Sequence, residues 1–387
     1  MKILVLSKRQ YMGKDLLDDR FGRFWELPFE LARLGHQVSG ISLSYRARNE
    51  GTKRYASPSV DGQITWQSFN LRNRSFPRIL RYAAHAVGMA EIFKPDAIWA
   101  CSDAYHTIFG AWLGKRINTR CVVDLYDNLE AFTASKVPLV RPLFRRAVKE
   151  SDGVTCFSMR LAERVIQAYR RQKPTRVIES GVRKDLFYPL DRQECRRRLN
   201  LPEDATIIGT TGALSRSRGI ETLFQAFRLL CKDRSDIHLA LAGVRDKRIR
   251  IPSDANVHDF GTLPHEKIPT LVGALDLSVI CYRHSAQGEY SFPQKAYEIM
   301  ACRVPLIAAA VGSMNELLQN HPDCLYEPEN PQSLANAISR QLRVQTVIEG
   351  PVPSWANSAK LLSNFFAEVV NCSSVSIPPD ATPVASA

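Results

Sequence analysis

Short apolar runs alternate with amphipathic stretches along almost the whole chain. In the first half, residues 2–6 (KILVL), 36–42 (HQVSGIS), 96–101 (DAIWAC), 120–126 (RCVVDLY) and 152–158 (DGVTCFS) read as strands. Residues 23–34, 78–92 and 136–149 between them carry apolar positions at helical spacing. The second half repeats the alternation, with strands expected at 206–212, 237–243, 275–281, 304–310 and 324–328. Strands that alternate with helices imply parallel sheets joined by right-handed crossovers. The expected fold class is therefore α/β, with two doubly wound, Rossmann-like domains facing each other across a cleft.

Residues 179–195 are rich in charge, Gly and Pro, as a linker should be. This predicts a first domain over 1–185 and a second over 186–352. A last helix over 353–371 offers Trp355, Leu361, Leu362, Phe365 and Phe366 for burial and is expected to pack back on the first domain. The Ser/Pro/Ala-rich tail, 372–387, is expected to be disordered.

A length of 387 residues suits two domains, and 45% hydrophobic residues let each bury a core. No apolar run approaches the roughly 18 residues that span a bilayer. The opening MKILVLSKRQ reads as a buried first strand rather than a leader, so a cytoplasmic protein is expected. Nine cysteines without a C-x-x-C pair argue against a zinc ribbon and for reduced, mostly buried thiols. The net charge of +13 fits an anionic partner, which nucleic acid, lipid headgroups or a phosphorylated substrate would each satisfy. A scattered, solvated basic surface also fits.

In open α/β sheets, ligands bind beyond the carboxyl ends of the strands. Two segments carry candidate chemistry there. In 288–317, Ser291 reads as the cap of a helix with Pro293 in its first turn. Lys295 and Glu298 share one face of that helix. Their spacing suits a diphosphate and a ribose, and equally an exposed ion pair. Gly312 opens the next turn. In 207–227 a strand ends at Gly212, a loop carries Ser215, Arg216 and Arg218, and Gly219 leads into a helix. That is the form of a phosphate cradle, and also of a plain strand–helix loop.

The string SFPQKAYEIMACRVPLIA resembles the donor-site signature of GT-B glycosyltransferases of the family 4 group, E-x7-E followed by A-x-G-x-P-V-I. Glu298 matches the second glutamate, Ala301 and Pro305 match the positions after it, and Arg303 replaces the usual Gly. The register of the first glutamate falls on Tyr290, with Glu289 one residue away, as in the variant F-P-x-K-x-x-E. The loop ALSRSRG resembles the family's G-R-L-S-x-x-K-G: Gly212, Leu214, Ser215 and Gly219 match, Arg218 replaces Lys, and Ala213 replaces Arg. Residues 180–189 resemble N-G-V-D-x-x-x-F-x-P through Gly181, Val182, Phe187 and Pro189. Residues 20–42 resemble the family's opening helix and second strand.

The resemblance implies a retaining transfer of sugar from a nucleotide-diphosphate sugar to a hydroxyl of a glycan or lipid-linked acceptor. The second domain would hold the donor and the first the acceptor. Glu298 would bind ribose, Glu289 would contact the transferred sugar, and Arg218 with Lys295 would neutralise the diphosphate. Gly22, Gly212, Ser215, Arg216, Ser291, Phe292 and Gly312 complete the expected donor site. On the acceptor side, Asp124, Asp127 and Glu130 follow a strand and are expected to face the cleft, with Asp127 chosen as catalytic. Asp103 and His106 form a second acceptor-side candidate. No D-x-D triplet occurs, so neither a metal nor another cofactor is expected. Arg72, Arg74, Arg78 and Arg81, interleaved with Phe76, Ile79, Leu80 and Tyr82, fit an anionic membrane face or a half-buried surface helix. Nucleic acid is not an expected partner. A nucleotide-sugar epimerase and a non-catalytic scaffold are the alternatives.

Overall fold

The structure, a computed structural model, describes residues 1–11, 13–55, 63–71, 76–131 and 137–372. The first sheet is built from β1 (Lys2–Lys8), β4 (Gln37–Ser44), β5 (Gly51–Tyr55), β6 (Gln63–Asn70), β7 (Ala97–Ala100), β8 (Arg120–Leu125), β9 (Gly153–Cys156) and β10 (Thr175–Val177). A small hairpin, β2 (Gln10–Tyr11) with β3 (Lys14–Asp15), follows β1. The strand order is β10-β9-β8-β7-β1-β4-β6-β5, parallel except for β5 against β6. The helices of this half are α1 (Arg23–Arg33), α2 (Phe76–Phe93), α3 (Ala104–Arg116), α4 (Val140–Glu150) and α5 (Met159–Tyr169).

The second sheet is wholly parallel, in the order β13-β12-β11-β14-β15-β16. Its strands are β11 (Thr206–Thr211), β12 (Ile237–Ala242), β13 (Val257–Asp259), β14 (Leu277–Ile280), β15 (Leu306–Ala309) and β16 (Leu325–Tyr326). Around it lie α6 (Arg192–Arg198), α7 (Ile220–Leu230), α8 (Ile268–Gly273), α9 (Ala286–Tyr290), α10 (Lys295–Ala301), α11 (Ser313–Leu317) and α12 (Pro331–Arg343). The last helix, α13 (Trp355–Asn371), returns to the first sheet. It buries Trp355, Leu362, Phe365 and Phe366 in one cluster with Phe24, Leu27 and Leu31 of α1.

The central strands are apolar on both faces, as parallel strands covered by helices must be: Ile3 through Leu6 are wholly buried. The strands that the hydrophobic runs did not announce are peripheral. β6 alternates, with Ile64 and Trp66 inward and Gln63 and Thr65 outward, and β5 is an exposed polar edge. Short edge strands lack a continuous apolar run because one face meets water.

The chain crosses between domains beside its own return path. Val182 N–H donates to Pro353 O at 2.8 Å. A Cβ on Gly181 would stand 2.2 Å from Trp355 N, so only glycine fits the crossing. The carboxyl ends of the β1, β7 and β8 strands then face those of β11, β14 and β15, and their loops touch across the cleft.

Candidate functional site

Lys295 opens α10 and turns back toward the end of β11. Its Nζ lies 3.2 Å from Thr211 O and 3.4 Å from Thr210 Oγ1. Neither acceptor carries charge, and Lys295 forms no ion pair among the described residues. Burial, reinforced by the neighbouring Arg218, pushes its ammonium down to about 8. Arg218 lies over the Tyr282 ring at 5.0 Å and donates to Tyr282 Oη. It too has no carboxylate partner among the described residues. The two half-buried cations therefore repel each other, an arrangement that an anion between them would relieve.

Glu298, one turn into α10, is only 13% exposed and lies 3.6 Å from His265 Nε2. It makes no pair with Lys295, so the exposed ion pair that their spacing permits does not form. His265 packs edge-on against Phe21 of the first domain at 4.8 Å between centroids. An interdomain cavity of about 370 Å³ adjoins it, with Lys14, Arg20, Glu26, Arg183 and Thr262 in its walls.

Glycine sets the candidate phosphate loop. Gly212 (φ +102) leaves β11 and Gly219 (φ +72) caps α7, a backbone that side chains with a Cβ rarely adopt. Between them Ser215 bonds Ser217, and exposed Arg216 pairs loosely with Glu221 at 3.5 Å. Gly312 (φ +56) packs onto α9, where a Cβ would stand 2.5 Å from Glu289 O. Gly22 caps α1 against the Tyr11 ring.

Several residues sit differently from the sequence reading. Ser291 does not cap α10: it ends α9, and its hydroxyl donates to Asp127 Oδ1 of the first domain at 2.9 Å. Phe292 is buried, packed on Tyr297 and on Phe157 across the interface. Glu289 is engaged by Arg160 of α5, which also holds Glu316 at 2.6 Å. Tyr290 turns to the first domain, with Arg164 over its ring at 4.8 Å. Asp124 does not face the cleft. It is fully buried, bound by Arg23 at 2.7 Å and by Thr155 Oγ1 at 2.6 Å. Glu130 is taken up by Arg141, Arg145 and Arg164.

Of the acidic run 124–130, Asp127 is therefore the one that reaches the second domain. Burial raises its carboxyl, against the Ser291 hydroxyl, the Asn128 N–H, Arg218 and Lys8. Asp103 caps α3, accepting from His106 N at 2.9 Å and His106 Nδ1 at 2.7 Å, with Tyr45 Oη at 2.8 Å on its other oxygen. Burial would raise this carboxyl too, but His106 outweighs it and holds it well below the usual range. Thus Asp127, Ser291, Arg218 and Lys295 are linked by contact or charge, whereas Glu289 and Arg216 are in ion pairs and Phe292 and Gly22 are packed against aromatic rings. Sequence reasoning missed Tyr282, His265 and Lys8. Each directly ends or follows a strand or loop of the cleft, the one signal that marked them.

Two family models divide the chain. The model described as glycosyl transferase 4-like domain matches residues 23–181, and the one described as glycosyl transferases group 1 matches residues 191–347. The chain belongs to the group 1 glycosyltransferases. A D-inositol 3-phosphate glycosyltransferase of Catenulispora acidiphila is 26% identical over 212 residues, 49% of each chain. The lipopolysaccharide 1,2-N-acetylglucosaminetransferase of Salmonella typhimurium is 26% identical over 187 residues, 43% of this chain and 47% of that one. The chain spans about half the length of these curated relatives. Among solved structures, sucrose-phosphate synthase from Thermosynechococcus elongatus superposes with a TM-score of 0.67 at 19% identity, covering 95% of this chain and 96% of the other. Anabaena HepE in complex with UDP gives 0.66 at 19% identity over 96% and 97%. This group 1 glycosyltransferase accordingly has the two-domain GT-B fold.

Among the described residues no helix is long and apolar enough to cross a membrane. Of the expected basic patch, Arg72 and Arg74 lie outside the described residues. On α2, Ile79 and Leu80 are exposed, Tyr82 is buried, and Arg78 leans on Glu50 at 3.5 Å. Residues 373–387 also lie outside the described residues.

Proposed function

We propose that the protein moves a sugar, with retention at the anomeric carbon, from a nucleotide-diphosphate sugar to a hydroxyl of a glycan or lipid-linked acceptor in cell-surface glycoconjugate synthesis. The observation that carries this reading is the pair Lys295 and Arg218: two half-buried cations without carboxylate partners, with Glu298 one turn away. The diphosphate lies between the cations and beside the glycine-bounded loop at the start of α7. Glu298 accepts from the ribose hydroxyls. As the glycosidic bond breaks, negative charge grows on the leaving phosphate, and the fixed cations stabilise it. No step of this reading needs a metal. UDP and UDP-glucose bound to HepE support a nucleotide-sugar donor. The exposed apolar and basic residues of α2 suit a peripheral site on anionic lipid.

A thermal-shift panel of UDP-, GDP-, ADP- and TDP-sugars tests the reading. One nucleotide should raise the melting temperature of the wild type and leave Glu298→Ala unmoved. If none of the four stabilises the wild type, the donor assignment is wrong.

A further inference from the structure

We infer that Lys8 is a positioning residue of the first-domain wall, holding the Asp127 carboxylate at the point where the acceptor hydroxyl enters. The inference rests on the transfer reaction proposed above. Lys8 ends β1, and its backbone is pinned because Lys8 N–H donates to Ser102 Oγ at 2.7 Å. Ser102, just beyond β7, is itself held at φ +85. The strand order β8-β7-β1 separates Lys8 from β8 by one strand. Its side chain crosses the end of β7, and its Nζ reaches Tyr126 Oη at 3.3 Å, the residue before Asp127.

Two carboxylates attract this ammonium, and only one is uncommitted. Asp103 accepts two bonds from His106 on one oxygen and one from Tyr45 on the other. Asp127 uses Oδ1 alone, for Ser291 and for the Asn128 N–H, and among the described residues its Oδ2 accepts no hydrogen bond. That oxygen remains for a hydroxyl in the cleft. The ammonium makes no ion pair among the described residues, so its charge acts through space on Asp127. The other groups facing Asp127 are Arg218 from the β11 loop and the phenols of Tyr11, Tyr126 and Tyr282. Burial lowers the Lys8 ammonium, while Asp103, Cys101 and Asp127 raise it. Removing Lys8 would take away a cation that, with Arg218, opposes the burial of Asp127.

The test is a carbon-13 titration of aspartate side chains in the full chain, with Asp127 identified by the resonance lost in Asp127→Asn. Lys8→Met should move the Asp127 midpoint upward, and Lys8→Arg should return it toward wild type. A midpoint unchanged in Lys8→Met, or in Lys8→Gln should the methionine variant fail to fold, overturns the inference. Nucleotide-induced thermal stabilisation, followed in parallel, separates this result from the donor reading. Equal stabilisation of wild type and Lys8→Met leaves that reading standing, whereas failure of the wild type to respond to any nucleotide of the panel sinks the donor site and leaves the titration to judge Lys8.

Discussion

The Ser291 hydroxyl donates to Asp127 Oδ1 at 2.9 Å, a bond that joins the two domains at the floor of the cleft. It ties Asp127 of the first domain to the residue that ends α9 and precedes α10.

Ser291→Ala should therefore cost about 1 kcal/mol, the net worth of one such bond. The Asp127 carboxyl is raised by burial, so its ionised form opposes folding, and the Ser291 hydroxyl is one of the groups that relieve this. Loss of Ser291 should cost more at neutral pH than below the ordinary carboxylate range, where Asp127 is protonated in both states. Thermal melting across pH checks both parts.

Glu298→Ala should weaken binding of the nucleotide that the panel selects roughly 10- to 150-fold, the equivalent of about 1.5–3 kcal/mol for hydrogen bonds to a charged group. Among the described residues the one ion-pair partner of Glu298 is His265, at 3.6 Å, so the melting temperature without nucleotide should stay close to wild type. Calorimetric titration with that nucleotide provides the measurement.

Lys295 predicts a pH dependence of donor binding. Its ammonium titrates at about 8 in the free protein, and a bound diphosphate favours the charged form and raises that value. Below pH 8 the proton is already present and affinity is flat with respect to this group. Above it, binding must take up a proton, and affinity should fall by up to about tenfold per pH unit. The free protein shows the opposite trend. The folded state sheds this proton first, so stability rises from pH 8 toward the ordinary lysine range. Lys295→Met should abolish the loss of nucleotide affinity above pH 8.

Asp124→Ala should destabilise the first domain by about 3–5 kcal/mol, because it strands the Arg23 guanidinium in a fully buried site. Asp127→Ala, in the next loop, should cost far less. A comparison of the two melting curves distinguishes the structural acid from the acid of the cleft.

Much of this was legible along the chain. Apolar runs such as 2–6 and 237–243 announce buried parallel strands, since both faces must shed water. The glycines at 212 and 219 mark a backbone that other residues resist, and the spacing of Lys295 and Glu298 puts them on one helix face. Edge strands such as β5 escaped because water on one face removes the hydrophobic run.

The sequence by itself determined the two α/β halves, the candidate phosphate loop and the cations available to it, because periodicity and backbone conformation are local properties. Only the tertiary structure decided which acid serves which purpose. Asp124 and Asp127 are three residues apart in one acidic run, yet one is consumed by Arg23 and the other meets Ser291, 164 residues away. Likewise Glu289 is claimed by Arg160 from the opposite domain. A carboxylate's role follows from its burial and from the cation that reaches it, and both are set by chain segments far apart in sequence.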